Sequence, residues 1–420
     1  MKILHTSDWH LGKTLENRDR LPEQREVLDE VCRIAEARAV DLVLVSGDIF
    51  DTYVPPAAAE ELFYDAVERL AAGGHRAVVI IAGNHDSPDR LCAARPLADR
   101  NGIILLGLPG SQAGLTATAA GIRVVRSGPG WLELALPDVA EHAVIIALPY
   151  PSEARLDEAL AESLDEELLQ QAYSAKVGRI FQELAGQFRP DTVNLALSHL
   201  FVMGGEGSDS ERPIQLGGAL TVTPDQLPGD AHYVALGHLH KPQRAPGFKG
   251  AAYYAGSLLQ YSFSESGCQK AVFLIEARPE APAAVEKVPL ASGRPLVRWV
   301  AKEGVAEAVA WCQSGRDPGA WIDLEIWVDG PLSQEEIKTL RNARPELIGI
   351  RPVIVNPADP AGAEESRLAK PLPELFAGFY QARTGVPPKP ELLDYFLEIA
   401  AGDPGRAEER SAGGEPDATA

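Results

Sequence analysis

Over roughly the first 270 residues, short β-branched apolar runs alternate with longer segments whose apolar positions recur at three- and four-residue spacing. The runs Asp41 to Ser46, Arg76 to Ala82, His142 to Leu148, Thr192 to Leu197 and Tyr233 to Leu236 are apolar enough to predict strands buried on both faces. Between them, Pro22 to Ala39 and Ala57 to Ala72 predict helices, and Ser152 to Phe188 predicts a further helical stretch. Such alternation is the signature of an α/β domain. From about Ala277 the composition shifts to Pro and Ala, which reads as a linker or domain edge. Beyond it, strand-like Leu296 to Val300, helix-like Val305 to Cys312, strand-like Trp321 to Val328, helix-like Ser333 to Asn342 and strand-like Ile348 to Val355 predict a small α+β domain. Two short amphipathic patterns follow Asn356, one carrying Leu375, Phe376, Phe379 and Tyr380, the other Leu392, Leu393, Phe396 and Leu397. Their stripes suit either their own domain or a partner helix, and we expect a partner. Gly402 to Ala420 is small, polar and acidic, a composition expected to be disordered. The division is therefore residues 1–277, 278–355, 356–401 and 402–420.

A chain of 420 residues is too long for one ordinary core and agrees with more than one domain. No apolar run approaches the roughly 18 residues of a membrane span. Met1 to Leu4 turn polar at His5, which leaves no room for the apolar core of a secretory signal, so the expected location is the cytoplasm. Cysteines 32, 92, 268 and 312 are scattered and read as reduced thiols. A formal charge of -21 changes the picture more. It counts against unaided gripping of nucleic acid, where Lys and Arg displace counterions from phosphates. Bound divalent cations or a basic partner surface would have to supply what the chain lacks.

The chemistry lies at the ends of the predicted strands. Asp8 and His10 follow the first, Asp48 follows LVLVSG, Asn84 follows VVIIAG, His199 follows VNLALS, and His238 and His240 follow YVALG. Residues just past strand carboxyl ends converge in open α/β sheets although they are distant in sequence. Carboxylate, imidazole and amide without thiolate suit manganese, iron or zinc in a working site more than a structural zinc. Seven such groups are too many for one ion, whereas two ions roughly 3.5 to 4 Å apart and sharing a carboxylate would use them all. Such a pair clamps a phosphate and acidifies water, so phosphoester hydrolysis is the natural reaction. Asp8-Trp9-His10 and Gly47-Asp48 alone are ordinary turns, but Gly83-Asn84-His85-Asp86 goes beyond turn chemistry. The remaining histidines, 5, 75, 142 and 232, are expected to be structural.

In this order the blocks resemble the calcineurin-like metallophosphoesterase superfamily, with Asp8-x-His10, Gly47-Asp48, Gly83-Asn84-His85-Asp86, His199 and Gly237-His238-x-His240. The resemblance implies a β-sandwich core flanked by helices. It implies that Asp8, His10, Asp48 and His240 hold one metal and Asp48, Asn84, His199 and His238 the other, with Asp48 as the bridge. Ser198 stands where the superfamily commonly has Gly before its histidine. HTSDWHLGK at 5–13, SGDIFDTYVPP at 46–56, GGEGSDSERP at 204–213, ALGHLHKPQ at 235–243 and YYAGSLLQYSFSE at 253–265 bring the resemblance closer to the SbcD family of nuclease subunits. That family implies a 3'-to-5' exonuclease on duplex DNA ends and an endonuclease on single strands and hairpins, with manganese. It implies an SbcC-type ATPase partner, a homodimer within a heterotetramer, and a role in DNA repair and recombination. Residues 278–355 resemble its cap and the helices after 356 its partner-binding segment. His85 resembles its general acid, because neighbours in an extended segment point to opposite sides and Asn84 would face the metals. Asp51 is close enough in sequence to orient that imidazole. A stand-alone phosphodiesterase or phosphatase would share the metals, but Ser/Thr phosphatases of the superfamily place Arg where this chain has Thr52 and Ser87. An inactive scaffold would be expected to have lost some of the seven groups, and none is missing.

Overall fold

The computed structural model describes residues 1–156, 166–211, 220–355, 372–384 and 388–400. In chain order its strands are β1 (Lys2–Thr6), β2 (Leu42–Val45), β3 (Ala77–Ile81), β4 (Ile103–Leu106), β5 (Arg123–Gly128), β6 (Trp131–Ala135), β7 (Ala143–Leu148), β8 (Val193–His199), β9 (Phe201–Val202), β10 (Thr221–Val222), β11 (Tyr233–Gly237), β12 (Gln243–Arg244), β13 (Ala252–Tyr254), β14 (Ala271–Arg278) and β15 (Ala281–Pro289), then β16 (Leu296–Ala301), β17 (Trp321–Val328) and β18 (Leu347–Ile354). One sheet runs β15-β14-β1-β2-β3-β4 and a second β12-β13-β11-β8-β7-β6-β5. Strands β1 to β4 are parallel, as are β7, β8, β11 and β13.

Because neighbouring side chains on a strand face opposite ways, each sheet has two apolar faces to cover. Ile3, Leu42, Leu44, Val79 and Ile81 meet Ile145, Leu195, Leu197 and Tyr233 in a core between the sheets. The alternate residues Val43, Val45, Val78 and Ile80 lie under α1 (Leu21–Ala37) and α2 (Ala57–Ala71), through Val27, Leu28, Leu62 and Phe63. On the far side, Ile146, Ala196, Val234 and Leu236 lie under the helix Glu166–Ala185, through Tyr173, Val177 and Phe181. The result is an α/β fold of four layers, a β-sandwich flanked by helices.

The five predicted strands agree with β2, β3, β7, β8 and β11 to within two residues at each end. Of the helical stretch expected from Ser152 to Phe188, the described parts are a single turn at Glu153–Arg155 and the helix Glu166–Ala185; residues 157–165 lie outside the described residues. The Pro/Ala-rich segment from Ala277 is not a linker. It completes β14 and forms β15, paired antiparallel from Ala271↔Pro289 to Arg278↔Ala281. The composition misled because β15 is an edge strand, where a proline that cannot donate to the ladder is tolerated.

A third sheet, β16-β17-β18, begins with a parallel pair. Helices Val305–Gln313 and Gln334–Ala343 connect its strands, the second opening on a capping box between Ser333 and Glu336. This is the small α+β arrangement expected. The chain separates into two compact units, residues 1–326 with 333–351, and residues 327–332 with those from 352 onward. In the second, the helices Leu372–Thr384 and Pro390–Ala400 meet through the stacked rings of Phe376 and Phe396, 4.0 Å apart. The two helices therefore meet through one ring of each stripe, while Leu375, Leu392 and Tyr395 stay exposed. Residues 356–371 and 402–420 lie outside the described residues. Among the described residues no helix is long and apolar enough to cross a membrane. All four cysteines are free.

Candidate metal centre

Parallel pairing aligns the carboxyl ends of β1, β2 and β3 in one sheet and of β8 and β11 in the other, with Gly237 opposite His199. The two sets of ends touch. A Cβ added at Gly237 would fall on Ser46 O, one at Gly83 would sit 2.7 Å from Asp48 Cγ, and one at Gly47 would sit 2.6 Å from His199 Nδ1. The glycines that precede Asp48, Asn84 and His238 are thus the places where backbone of one loop meets another.

Asp8, His10, Asp48 and His238 all have positive φ, of 52°, 46°, 53° and 107°. Such angles are unfavourable for non-glycine residues and persist only where surroundings impose them. Here the Asp8 N–H donates to Gly47 O at 3.0 Å, His10 N–H to Asp48 O at 3.0 Å, and Leu11 N–H to Ile49 O at 2.9 Å. His238 N–H donates to Asp8 Oδ1 at 3.0 Å.

All seven sequence-predicted residues come together. His10 Nε2 lies 2.9 Å from His240 Nε2 and 3.6 Å from Asp48 Oδ2. Asp48 Oδ2 is also 3.6 Å from His199 Nε2, which sits 2.9 Å from Asn84 Oδ1; His238 Nδ1 is 3.2 Å from the same oxygen. Ligand atoms of Asp8, His10 and His240 lie within 4.8 Å of one another, as do those of Asp8, Asp48 and His199. Asp48 faces both halves.

The residues present fit a pair of cations. Ser46 O can only accept, so His199 Nδ1 carries the proton in their 2.8 Å bond and its Nε2 lone pair faces the centre. Burial, then neighbouring imidazoles, pushes His10 and His238 well below the usual histidine range, and burial lowers His199, so these rings are neutral as ligation requires. His10 Nδ1 is buried without a hydrogen-bond partner. Burial, then the charge of Asp48, pushes Asp8 well up and Asp86 up to about 7. Carboxyls crowded in this way are what a bound cation relieves.

His85 stands beside the cluster. Its backbone N–H donates to Asp48 Oδ1 at 2.9 Å, and its ring packs edge-on against His10. Its Nδ1 donates to the backbone carbonyl of Asp51 at 2.7 Å, whereas the Asp51 carboxylate is 3.8 Å away and 3.0 Å from Lys13 Nζ. Orientation of the imidazole thus comes from the main chain of Asp51.

Several residues of the site carry no ligand-like signature. Asp86 accepts from the N–H groups of Ile49, Phe50 and Gly83 at 3.1, 2.9 and 2.8 Å, clamping the Asp48 loop to the Asn84 loop. Arg155 donates to Gly83 O and Asp86 O, both at 2.8 Å, and so brackets Asn84 and His85; nothing in its neighbourhood of sequence singles it out. Ser210, hydrogen-bonded to Glu265, meets His240 Nδ1, and Glu211 accepts the His240 N–H at 2.8 Å. Glu265 is held down at about 2: burial opposes this, but His240 and Lys270 outweigh it. These three residues belong to the GGEGSDSERP and YYAGSLLQYSFSE blocks, of which residues 212 and 213 lie outside the described residues. Ser198 is buried and donates to Leu148 O at 2.8 Å, tying β8 to β7. Thr52 bonds locally to Val54 O, and Ser87 caps the short helix Pro88–Cys92. As expected, His5 is structural, held between Tyr233 OH and Ser46 Oγ at 2.9 and 2.7 Å. His142 pairs with Glu133, and His232 accepts from the Asn194 N–H.

A family profile described as calcineurin-like phosphoesterase matches residues 1–242. The chain is 45% identical over 403 residues to the SbcD subunit of the nuclease SbcCD of Bacillus subtilis, covering 96% of this chain and 98% of that one. The corresponding SbcCD nuclease subunits of Rhodobacter capsulatus and Escherichia coli K12 are 31% and 30% identical, over 90% and 84% of this chain and 94% and 85% of theirs. A solved dimetal phosphatase from Danio rerio is 13% identical over 69% of this chain and 99% of its own, with a TM-score of 0.34.

Proposed function

Because the chain belongs to the calcineurin-like phosphoesterase family, and within it to the SbcD nuclease subunits, we propose that it cleaves DNA as a 3'-to-5' exonuclease on duplex ends and an endonuclease on single strands and hairpins. The observation that carries the reading is the convergence of seven ligand-type side chains, with Asp48 Oδ2 3.6 Å from both His10 Nε2 and His199 Nε2. Asp8, His10, Asp48 and His240 would hold one ion and Asp48, Asn84, His199 and His238 the other, with manganese as the proposed metal. A bound pair of divalent ions neutralises charge on phosphoryl oxygens and acidifies water.

The chain's own residues do the rest. With Nδ1–H committed to Asp51 O, the proton that His85 can deliver is the one on Nε2, and we assign it the role of general acid toward the leaving sugar oxygen. Arg155 and Asp86 hold the loop that presents Asn84 and His85. Residues 1–289, with β15 included, form the nuclease domain of this proposal, and β16 to β18 its cap. The helices after 372 are proposed to bind an SbcC-type ATPase, in a heterotetramer with two copies of this chain acting in DNA repair and recombination. That partner would also supply positive surface to a chain of charge -21.

A stand-alone phosphatase is disfavoured because Thr52 and Ser87 are engaged in local turns and offer no cation to a phosphomonoester. The test is metal analysis together with hydrolysis of linear duplex DNA and of p-nitrophenyl phosphate, with and without the ATPase. Two ions per chain and a strong preference for DNA are expected. Preference for the monoester would overturn the nuclease reading, and a metal-free chain would overturn the centre.

A further inference from the structure

The first turns of α1 lie between the metal-centre loop and the small domain of β16 to β18. On one side, the buried Gln24 donates its amide to His10 O at 2.9 Å and to Tyr261 OH at 3.0 Å, and its Oε1 accepts the Gly12 N–H at 3.0 Å. Tyr261 OH donates to Trp9 O at 2.6 Å. Two side chains therefore hold the main chain of Trp9, His10 and Gly12 from beneath.

The preceding residue, Glu23, faces the other way. Its Oε1 accepts from the indole of Trp321 at 3.0 Å, on β17, and its Oε2 from the Arg294 N–H at 2.8 Å. Arg294 in turn lies over the Trp321 ring at 3.9 Å. Arg20, fully buried, pairs with Glu23 through both Nε and Nη2, at 2.7 and 3.0 Å, and donates to Gln260 O at 3.2 Å. The Gln260 side chain accepts the N–H of Leu296, the first residue of β16, at 2.7 Å. Two turns further along, Glu30 accepts from Ala291 and Ser292 at 2.9 and 2.7 Å. Adjacent residues 260 and 261, and adjacent residues 23 and 24, thus each give one side chain to the small domain and one to the metal-centre loop. A buried polar chain of this kind has few arrangements that satisfy all its members.

We propose that Gln24 and Tyr261 are positioning residues for the His10 loop, and that docking of the small domain on Glu23 and Gln260 sets the position of that loop. A change in that docking then changes metal affinity and turnover without touching a ligand. The metal readout rests on the centre described above. The amide readout does not.

The test compares Tyr261→Phe, Trp321→Phe and the double variant with the wild type, since each keeps an aromatic ring and leaves Glu23 paired with Arg20. Manganese affinity is titrated, and hydrogen exchange is followed at Leu11 and Gly12. Tyr261→Phe should weaken manganese binding about threefold to tenfold, the scale of lost buried hydrogen bonds. Trp321→Phe, which removes a hydrogen bond to Glu23 and none to a ligand, should weaken it measurably and speed exchange at Gly12. A double variant little worse than the larger single would show that the two act in one chain. The proposal is overturned if Trp321→Phe lowers only the unfolding temperature, with affinity and Gly12 exchange unchanged, or if the two effects simply multiply. A wild type that binds no manganese would refute the metal centre, while exchange at Gly12 would still decide the coupling.

Discussion

Replacing Gly83 by Ala tests whether the two loops approach as closely as the geometry requires. The new Cβ would lie 2.7 Å from Asp48 Cγ and closer still to its Oδ1 and backbone N, where ordinary contact begins at 3.4 Å. Neither side can yield cheaply, because Gly83 N–H is bound to Asp86 and its carbonyl to Arg155, while Asp48 receives the His85 N–H. The loops would have to part by roughly an ångström in a close-packed interior. Overpacking of this kind costs about 1 to 3 kcal/mol in stability. The effect on turnover should be larger, since misplacing a reacting group by about 1 Å costs on the order of 10²-fold. Urea unfolding, manganese titration and hydrolysis of bis(p-nitrophenyl) phosphate measure the three consequences. Gly229→Ala is the control, because nothing lies within 4 Å of its added Cβ. A Gly83→Ala protein that binds two ions and turns over within about threefold of wild type would refute the reasoning.

Asp48→Ala should abolish activity on every substrate and leave at most one ion bound, because Asp48 faces both halves of the centre; two ions counted in that variant would remove it from the bridge. His85→Asn should keep both ions but slow DNA cleavage by roughly 10²-fold, while a diester with a nitrophenol leaving group, which needs little protonation, loses far less. Equal slowing of both substrates would exclude His85 as the acid. Hydrogen bonds from Arg189 at 2.8 and 3.0 Å, and then His142, hold Glu133 at about 2 in the folded chain. Its stabilisation is therefore complete above the unfolded value of 4.5 and is lost as pH falls from there toward 2. Glu133→Gln should flatten that part of the acid-unfolding curve, and an unchanged curve would deny the pair its role.

The strands that carry the centre were legible because parallel strands covered on both faces leave unbroken apolar runs, as in LVLV at 42–45. Ligand types at the ends of such runs then picked out the side chains that the fold brings together. Asp86 was visible as a letter of its motif but not as a clamp, since its three partners come from Ile49, Phe50 and Gly83, and no spacing reveals which backbone a carboxylate will meet. Arg155 was silent for the same reason, as its bonds cross about 70 residues of sequence. Asp51 was read as the residue orienting His85 from its nearness in sequence, but no spacing says which of its atoms does so, and the closer contact is made by its carbonyl, which every residue possesses. At Ala277 the composition pointed away from the structure, because an edge strand paired on one side tolerates what a central strand excludes.

The acidity of the chain, an objection when met as a number, becomes specific once the carboxyls are located. Asp8, Asp48 and Asp86 are buried within one small volume, where burial and mutual repulsion raise two of them. A phosphate brought there without cations would meet like charge in a poorly solvated place, so the same residues that repel nucleic acid create the demand for divalent ions. If two divalent ions filled it as proposed, the centre would present positive charge at one point, enough for a single phosphodiester. It does nothing for the rest of a duplex, whose other phosphates face a chain of net charge -21. Affinity for a small diester should accordingly follow metal occupancy alone, whereas the proposed affinity for a duplex end is expected to need basic surface on another chain. The proposed division of labour between a cutting subunit and a gripping partner would follow from where these carboxylates sit.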